Sequence, residues 1–368
     1  MIQKIYLFIS IILISFFPIS MFPLEPVILT DSKGEYSLGL HLEYLKDKDK
    51  KLKIEDVTSP KFSNQFVKSK HEISNFGLTD SAYWIRFKLK NNSDKDKWLI
   101  KLTATLFMYN LKLYTPARKG FDVKEWHSSD SFSKREVKTR HSVFNLLLAP
   151  NQEKIFYMYC EADYIAFSLN LFSPETFLHK NRQEELLYGI YIGIVLIIII
   201  FNIFHFFSLK DINYLYYVFF VAGAGLVILS FEGFAFEYLA PDTPWMNNKA
   251  SLFFTVVAIF GYTIFGRSFL KTKLYTPKLD RSLFIFMALT VVLMVYTTFG
   301  NFHISVLLGH IFVSIGTSTF LFISILCWRN NFRPARYYFI ANLFVVIGVV
   351  FFSLISIPEG FPITELFL

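Results

Sequence analysis

The stretch IYIGIVLIIIIFNIFHFF, Ile190–Phe207, is eighteen residues long, and its apolar run is broken only by Asn202 and His205. About 20 residues at a rise of 1.5 Å each cross the ~30 Å hydrocarbon core of a bilayer. A run of this length and composition therefore predicts a membrane-spanning helix, and it divides the chain into two halves of different character.

Similar apolar stretches follow this one and, together with it, predict six complete spans. The six are Ile190–Phe207, Tyr214–Phe231, Ala250–Phe265, Leu283–Phe299, Val306–Trp328 and Tyr337–Ile357. After the last span, Pro358, Gly360 and Pro362 predict an outer loop, and only a few residues follow. We expect a truncated seventh span to begin there; a six-span protein with a short outer tail is the alternative.

The charged residues between the spans predict the orientation of the helices. One set of alternate loops carries nine basic residues, from Lys210 to Arg336, whereas the other set carries Lys249 alone. Because basic loops stay in the cytoplasm, this difference places the residues before the first span outside. The formal net charge of +8 is explained in the same way, so we expect the lipid bilayer, and not nucleic acid, as partner.

The residues before the first span predict an exported β-sandwich domain. Met1–Pro23 has the basic Lys4 and the apolar Ile5–Phe17 of a signal peptide; an uncleaved anchor is the alternative. Within residues 24–178, Tyr83–Lys90 alternates apolar and polar residues, as a half-buried strand does. Further short strands with polar turns follow at regular spacing, which favours an antiparallel sandwich. We expect residues 179–187 to be a linker and 188–368 the transmembrane bundle.

The composition limits the chemistry of the chain. Two cysteines, Cys160 and Cys327, provide neither a disulfide framework nor a metal-ligand spacing. The sequence has no glycine-rich phosphate loop, no HExxH and no GxSxG. We therefore expect no enzyme activity, no catalytic residue, no metal site and no cofactor.

Several short motifs resemble a known receptor family. In the membrane half they are Tyr188-Gly189, Asn202, Asp211 with Tyr214–Tyr217, Gly233 to Leu239, Pro244-Trp245 and Phe269-Leu270 with Pro277. In the first half they are Tyr83–Phe87, Asn91-Asn92 and Leu113-Tyr114. The chain resembles the bacterial seven-transmembrane receptors with diverse intracellular signalling modules that carry a type-2 extracellular domain. The resemblance implies a jelly-roll-like sandwich similar to carbohydrate-binding modules, a periplasmic sensor in the inner membrane, and a cytoplasmic effector.

Four residues are candidates for a ligand site in the sandwich. Trp84 and Arg86 lie on the strand face opposite Tyr83, and Trp126 and His127 lie in a segment read as a polar loop. Aromatic rings beside hydrogen-bonding groups are what a sugar site needs. The alternative is that Trp84 packs under a loop and that Trp126 and His127 form an ordinary surface turn.

Polar residues within the spans are a second set of candidates, since such groups usually face the interior of the bundle. They are Asn202, His205, His310 and Asn342. One interpretation is a polar network that switches between two packings, and the other is ordinary hydrogen bonding between helices. Gly189 and Gly193 form a GxxxG motif, which makes a homodimer one expectation.

The sequence predicts a membrane receptor whose sandwich binds a small molecule, with carbohydrate as the class that the resemblance suggests. Binding would bias the helices toward one arrangement and signal to an effector that is either fused beyond the seventh span or a separate protein. A transporter or channel subunit with an external binding domain and a membrane-anchored binding protein are the alternatives.

Overall fold

The computed structural model describes residues 24–104, 108–243, 245 and 249–355. The predicted signal peptide and the predicted start of a seventh span lie outside these residues. The described chain consists of a β-rich domain, here called the ectodomain, followed by long apolar helices, here called the membrane bundle.

The described part of the ectodomain contains twelve strands. They are β1 (Val27–Leu29), β2 (Glu35–Ser37), β3 (Leu42–Asp47), β4 (Val67–Lys68), β5 (Ile73–Leu78), β6 (Ala82–Asn91), β7 (Lys97–Ala104), β8 (Met108–Pro116), β9 (Phe121–His127), β10 (Ser142–Leu147), β11 (Glu153–Ala162) and β12 (Tyr164–Phe172). Two short helices, α1 (Ile54–Val57) and α2 (Pro60–Ser63), lie between β3 and β4.

The strands form two sheets that pack face to face. The first has the order β4-β3-β6-β11-β8-β9, with β1 pairing in parallel with one edge of β6, and the second has the order β10-β7-β12-β2, with β5 also pairing with β12. Phe87 and Phe156 of the first sheet share one buried core with Trp98 and Phe167 of the second. This arrangement confirms the predicted all-β sandwich.

Strand β6 is the central strand of its sheet, and both of its faces are covered. Ile85, Phe87 and Leu89 are fully buried between the sheets, as the alternation predicted. Trp84 on the other face is also buried, with 1% of its surface exposed, because α1, α2 and the residues beside them cover it. The expectation that Trp84 is available to a ligand is therefore corrected: its ring belongs to a second apolar layer.

The ectodomain continues directly into the first membrane helix. Strand β12 ends at Phe172, Ser173 is the N-cap, and helix α3 (Pro174–Leu209) runs without a break into the apolar stretch. At 1.5 Å per residue, its 36 residues span about 54 Å, more than the ~30 Å hydrocarbon core requires. Residues 179–187, predicted as a linker, are therefore the part of this helix outside the membrane, which explains their polar composition.

The start of α3 is capped at Ser173, and the same residue is hydrogen-bonded to the ectodomain. The Oγ of Ser173 accepts a hydrogen bond from the N–H of Thr176, and the N–H of Ser173 donates to the carbonyl of Gly34. A side chain at Gly34 would overlap Thr176, so the close approach requires glycine there. The helix therefore leaves the sandwich in a defined direction.

The membrane bundle contains α3 and five more long helices, with one short helix between the third and fourth long ones. They are α4 (Ile212–Phe231), α5 (Ala250–Phe269), the short α6 (Thr272–Tyr275), α7 (Pro277–Phe299), α8 (Phe302–Arg329) and α9 (Ala335–Ile355). Five helices are long and apolar enough to span a membrane, whereas α9 is apolar but shorter over residues 335–351. Within the described residues, five helices thus meet this criterion and the described apolar part of α9 is shorter, where six complete spans were predicted.

The contacts of the bundle agree with the orientation predicted from charge. The ectodomain touches the α4–α5 connection, where the N–H of Phe132 donates to the carbonyl of Pro241, and the start of α8, where His303 pairs with Asp163. Both connections belong to the loop set that carries a single basic residue. The basic loops lie at the opposite end, where Arg267 forms two hydrogen bonds with Asp280.

Helix α5 is the centre of the bundle and contacts α4, α7 and α8. Small residues permit the close approach of α4 and α5: Gly223 faces the backbone of Ala258, and Gly261 faces the backbone of Phe220. Gly189 and Gly193 of the GxxxG motif have open space beside them, so the described contacts of the chain use other glycines.

The burial of Trp84 predicts that it stabilises the fold. Replacing it with alanine leaves a large cavity under α1 and α2, and such changes cost about 3–5 kcal/mol. We expect Trp84→Ala to lower the melting temperature of the ectodomain in the full chain, followed by near-ultraviolet circular dichroism. Val123→Ala, at an exposed edge position, is the control and should have little effect. An unchanged melting temperature for Trp84→Ala would contradict the assignment.

Candidate functional site

One carboxylate on α3, that of Glu184, is reached by three basic side chains of the ectodomain. Lys101, Arg140 and His141 of the ectodomain all reach Glu184, and these four residues are here called the junction cluster. The Nζ of Lys101 donates to both carboxylate oxygens at 2.9 and 3.1 Å, and the Nη2 of Arg140 donates at 2.7 Å. The Nε2 of His141 lies 3.3 Å from Oε2.

Strand pairing and helix geometry bring these four side chains together. Lys101 lies on β7, where it faces Val143 of β10. Arg140 and His141 directly precede β10 and therefore lie within two or three residues of this position. On α3, Phe177 packs into the ectodomain against Phe172. Glu184 follows Phe177 by two helical turns and therefore lies on the same face of the helix.

The junction cluster is mostly shielded from water, and its electrostatics follow from this. Arg140 and Lys101 are 8% and 6% exposed. Burial alone would raise the pKa of Glu184, but the hydrogen bonds from His141 and Lys101 outweigh it and lower the pKa to about 2. Burial lowers the pKa of His141, against the opposing effect of Glu184. Near neutral pH, Glu184 is thus a carboxylate that holds two buried cations and a histidine.

A second contact lies beside the junction cluster and is aromatic. The guanidinium of Arg140 lies over the rings of Phe234 and Tyr188, at 4.5 and 5.3 Å. The guanidinium of Arg135 lies over Phe236 of the bundle at 5.1 Å. Phe236 is fully buried within a π-helical turn, Ala235–Leu239. The α4–α5 connection is therefore a platform under the ectodomain.

A cleft in the ectodomain opens beside these contacts. Its cavity volume is about 210 Å³. It is lined by residues of β9, of β10 and of the segment between them, with Trp126, Arg135 and His141 among them. Two of its lining residues therefore also contact the bundle: His141 reaches Glu184, and Arg135 lies over Phe236. A molecule in this cleft, here called the ectodomain cleft, would touch the residues that connect the two parts of the chain.

The structure separates the four ectodomain residues that the sequence analysis grouped. Trp126 lines the cleft, and His127 is the next residue on β9, half-exposed beside Glu125. Both belong to a strand, not to the predicted loop; β9 is an edge strand, and the charged residues typical of edges resemble a loop in sequence. Arg86 forms an ion pair with Glu43 at 2.6 Å under α2, away from the cleft.

Among the four polar residues of the spans, Asn342 forms side-chain hydrogen bonds with two other helices. Its side chain accepts a hydrogen bond from the hydroxyl of Tyr262 on α5 at 2.6 Å and donates to the carbonyl of Thr317 on α8 at 3.0 Å. The other three reach the carbonyl four residues earlier in their own helix, namely Ile198 for Asn202, Phe201 for His205 and Val306 for His310. The polar network that switches between two packings stays a prediction, with Asn342 as its best-placed member.

Sequence reasoning did not single out the residues of the junction cluster. Lys101 resembles any charged residue of a strand, and His141 belongs to no recognisable motif. One signal was present: Phe177, Glu184 and Tyr188 recur at the spacing of one helix face, and this face could have been recognised if the segment had been read as helical. Within the described residues, no group of three or more His, Cys, Asp or Glu is placed to hold a metal ion.

Comparison with known proteins gives two matches to family models. A model described as "7TM diverse intracellular signalling" matches residues 184–367, half of the chain, and a model described as "7TMR-DISM extracellular 2" matches residues 39–173. The residues between the two matches, 174–183, lie in α3, and the second match begins at Glu184. No curated protein matches the chain.

The contacts of Asn342 and Asn202 predict different losses of stability when each residue is replaced with leucine. Replacing Asn342 with leucine removes two hydrogen bonds between helices, a loss of about 1–3 kcal/mol. Asn202→Leu is the matched control, since its hydrogen bond lies within α3. We expect chemical denaturation in detergent to show the loss for Asn342→Leu alone. Equal losses would contradict the assignment.

The junction cluster predicts a loss of docking when the Glu184 charge is removed. We expect Glu184→Gln to weaken the contacts by about 1.5–3 kcal/mol, the range for hydrogen bonds to charged groups. Hydrogen exchange of residues 135–141 in the full chain should become faster. Glu185→Gln is the matched control, because Glu185 is exposed and its carboxylate bonds to Asn181.

The lowered pKa of Glu184 predicts that the effect of Glu184→Gln on stability depends on pH. A carboxyl whose pKa falls on folding stabilises the folded state above its usual pKa of 4.5, and this stabilisation is lost as the pH falls toward 2. The difference in melting temperature between wild type and Glu184→Gln should therefore be largest near pH 6–7 and shrink below about pH 4.5. A difference that stays constant down to pH 3 would contradict the assignment.

Proposed function

The chain belongs to the seven-transmembrane receptors with diverse intracellular signalling, and on this premise we propose that its ectodomain senses a small molecule and transmits the binding to the membrane helices. The ectodomain cleft is the proposed binding site, and the junction cluster is the proposed connection. We further propose that the receptor lies in a bacterial inner membrane with the ectodomain in the periplasm, and that its output passes to a cytoplasmic effector.

One observation carries this proposal: two residues that line the cleft also contact the bundle. His141 reaches Glu184 on α3, and Arg135 lies over Phe236 between α4 and α5. A ligand changes a protein's conformation only by the difference in its affinity for two states. A ligand that contacts His141 and Arg135 can have different affinities for two states of the protein, because both side chains also contact the membrane bundle.

The structure contains a continuous path of packed elements from the cleft toward the other end of the bundle. Helix α3 packs on α4, where Gly225 faces Val195. Helix α4 packs closely on α5, and α5 carries Tyr262, the partner of Asn342. A shift of α3 at Glu184 would thus displace first α4 and then α5. We propose this path as the route of the signal.

The ligand class that the resemblance suggested, carbohydrate, remains a proposal. Trp126 provides an aromatic wall for a sugar ring in the cleft, and several charged and polar side chains surround it. The cavity of about 210 Å³ lies below the range of about 300–1,000 Å³ of drug-sized sites. The proposed ligand is therefore a small one, of the size of a single sugar ring or a short organic acid.

The proposal is tested by a thermal-shift screen of small sugars and organic acids on the full chain in nanodiscs. A ligand at 100 times its Kd stabilises the protein by ~2.7 kcal/mol. We expect a hit that is lost in Trp126→Ala and retained in His127→Ala, its neighbour outside the cleft. Binding should also change the hydrogen exchange of residues 135–141. Hits that do not depend on Trp126, or that leave this exchange unchanged, would contradict the proposal.

A further inference from the structure

Arg135 is a buried charge for which the described part of the chain supplies no ion-pair partner. It is 8% exposed, and Nη1 donates to the carbonyls of Thr139 and Arg140 at 2.7 and 3.0 Å. Its guanidinium lies over Trp126, Phe132 and Phe236, at 5.1–5.4 Å. Burial lowers the pKa of Arg135 to about 10, so it is charged at neutral pH. Buried charges are usually paired, because leaving water is costly.

The acidic residues near Arg135 are engaged elsewhere or lie apart from it. Glu125 pairs with Lys112 and His127, and Glu136 pairs with Lys124. Glu237 of the π-helical turn attracts Arg135, but it lies beyond ion-pair distance, since no ion pair joins them in the described structure. The carboxylates around the cleft therefore do not neutralise this guanidinium.

The remaining groups of the cleft favour an anion. Lys134 lies at the rim, exposed and without an ion-pair partner among the described residues, and Asp130 is the one lining carboxylate that is likewise unpaired there. Among the unpaired charges, two cations thus face one anion. The cleft also has an apolar wall, formed by Trp126, Val143 and Phe144.

We propose that the ectodomain cleft takes a small molecule that carries a carboxylate, bound by the guanidinium of Arg135 and the ammonium of Lys134, with its remaining part against Trp126. A carboxylate and a guanidinium match in shape and form strong charge-assisted hydrogen bonds. The inference rests on the proposed function and deepens it, because it adds the charge of the ligand to the location of the site.

This assignment also gives the ligand a way to act on the bundle. Arg135 is attracted to Glu237 in the α4–α5 connection and lies over Phe236 beside it. A carboxylate bound to Arg135 would replace part of that attraction and give the buried guanidinium its missing counter-charge. Binding of the ligand would therefore weaken the attraction between Arg135 and the platform under the ectodomain.

The test compares matched probes that differ in charge but not in ring. Calorimetry on the full chain in nanodiscs measures the binding of glucuronate and of glucose. Acetate and ethanol are measured in the same way as the pair without a ring. We expect glucuronate to bind at least tenfold more tightly than glucose, and Lys134→Ala to weaken it severalfold. Arg135→Gln should abolish the preference for the charged probe. Lys138→Ala, at an exposed position that does not line the cleft, should leave binding unchanged.

The outcomes separate this inference from the proposed function. If glucose binds as tightly as glucuronate and Trp126→Ala abolishes both, the cleft is a ligand site and the carboxylate assignment is overturned. If neither acetate nor glucuronate binds in a way that depends on Lys134, the assignment is also overturned. Should Arg135→Gln fail to fold, Lys134→Ala and a loss of glucuronate affinity at high salt decide the question, since Lys134 is exposed and not part of the core.

Discussion

The placement of the ectodomain on the membrane helices depends on the carboxylate of Glu184. Lys101 and Arg140 are too deeply buried to be solvated by water, so each needs an anion, and Glu184 is the anion that both share. A buried cation that loses its partner is strongly destabilising. The docked arrangement is therefore favoured as long as Glu184 is ionised and in place, and any event that moves it has a large energetic effect for a small displacement.

Because α3 is continuous, the interaction at Glu184 connects the position of the ectodomain to that of the first span. The same continuous helix is capped against the sandwich at Ser173, presents Glu184 to the ectodomain and then enters the membrane. A flexible linker would allow the ectodomain to move without moving the span, whereas a capped helix does not. The second anchor, the aromatic platform of Phe234 and Phe236, holds the α4–α5 connection to the same ectodomain segment. One loop, residues 135–141, thus contacts two different parts of the bundle.

Periodicity in the sequence was sufficient for the architecture but not for the site. The alternation of Tyr83–Lys90 and the length of the apolar runs predicted the sandwich and the spans, because burial on one face leaves a local pattern. The second layer over Trp84 and the edge strand that carries Trp126 were missed, since both depend on residues distant in sequence. The polar turns at the start of α3 were read as a linker, because a helix outside the membrane has no apolar run. The junction cluster joins residues about 40–80 positions apart. A single sequence can show that Glu184 lies on one face of a helix, but it does not show which distant residues that face contacts.

The most direct test of the account is a double-mutant cycle on Arg140 and Glu184. The free energy of local opening is obtained from hydrogen exchange of residues 135–141 in the full chain. It is compared for wild type, Arg140→Leu, Glu184→Gln and the double variant. The account predicts a coupling energy of about 1–3 kcal/mol, because each residue is the partner that the other requires. Effects that add within about 0.5 kcal/mol would show that the two residues act independently and would contradict the central role of Glu184.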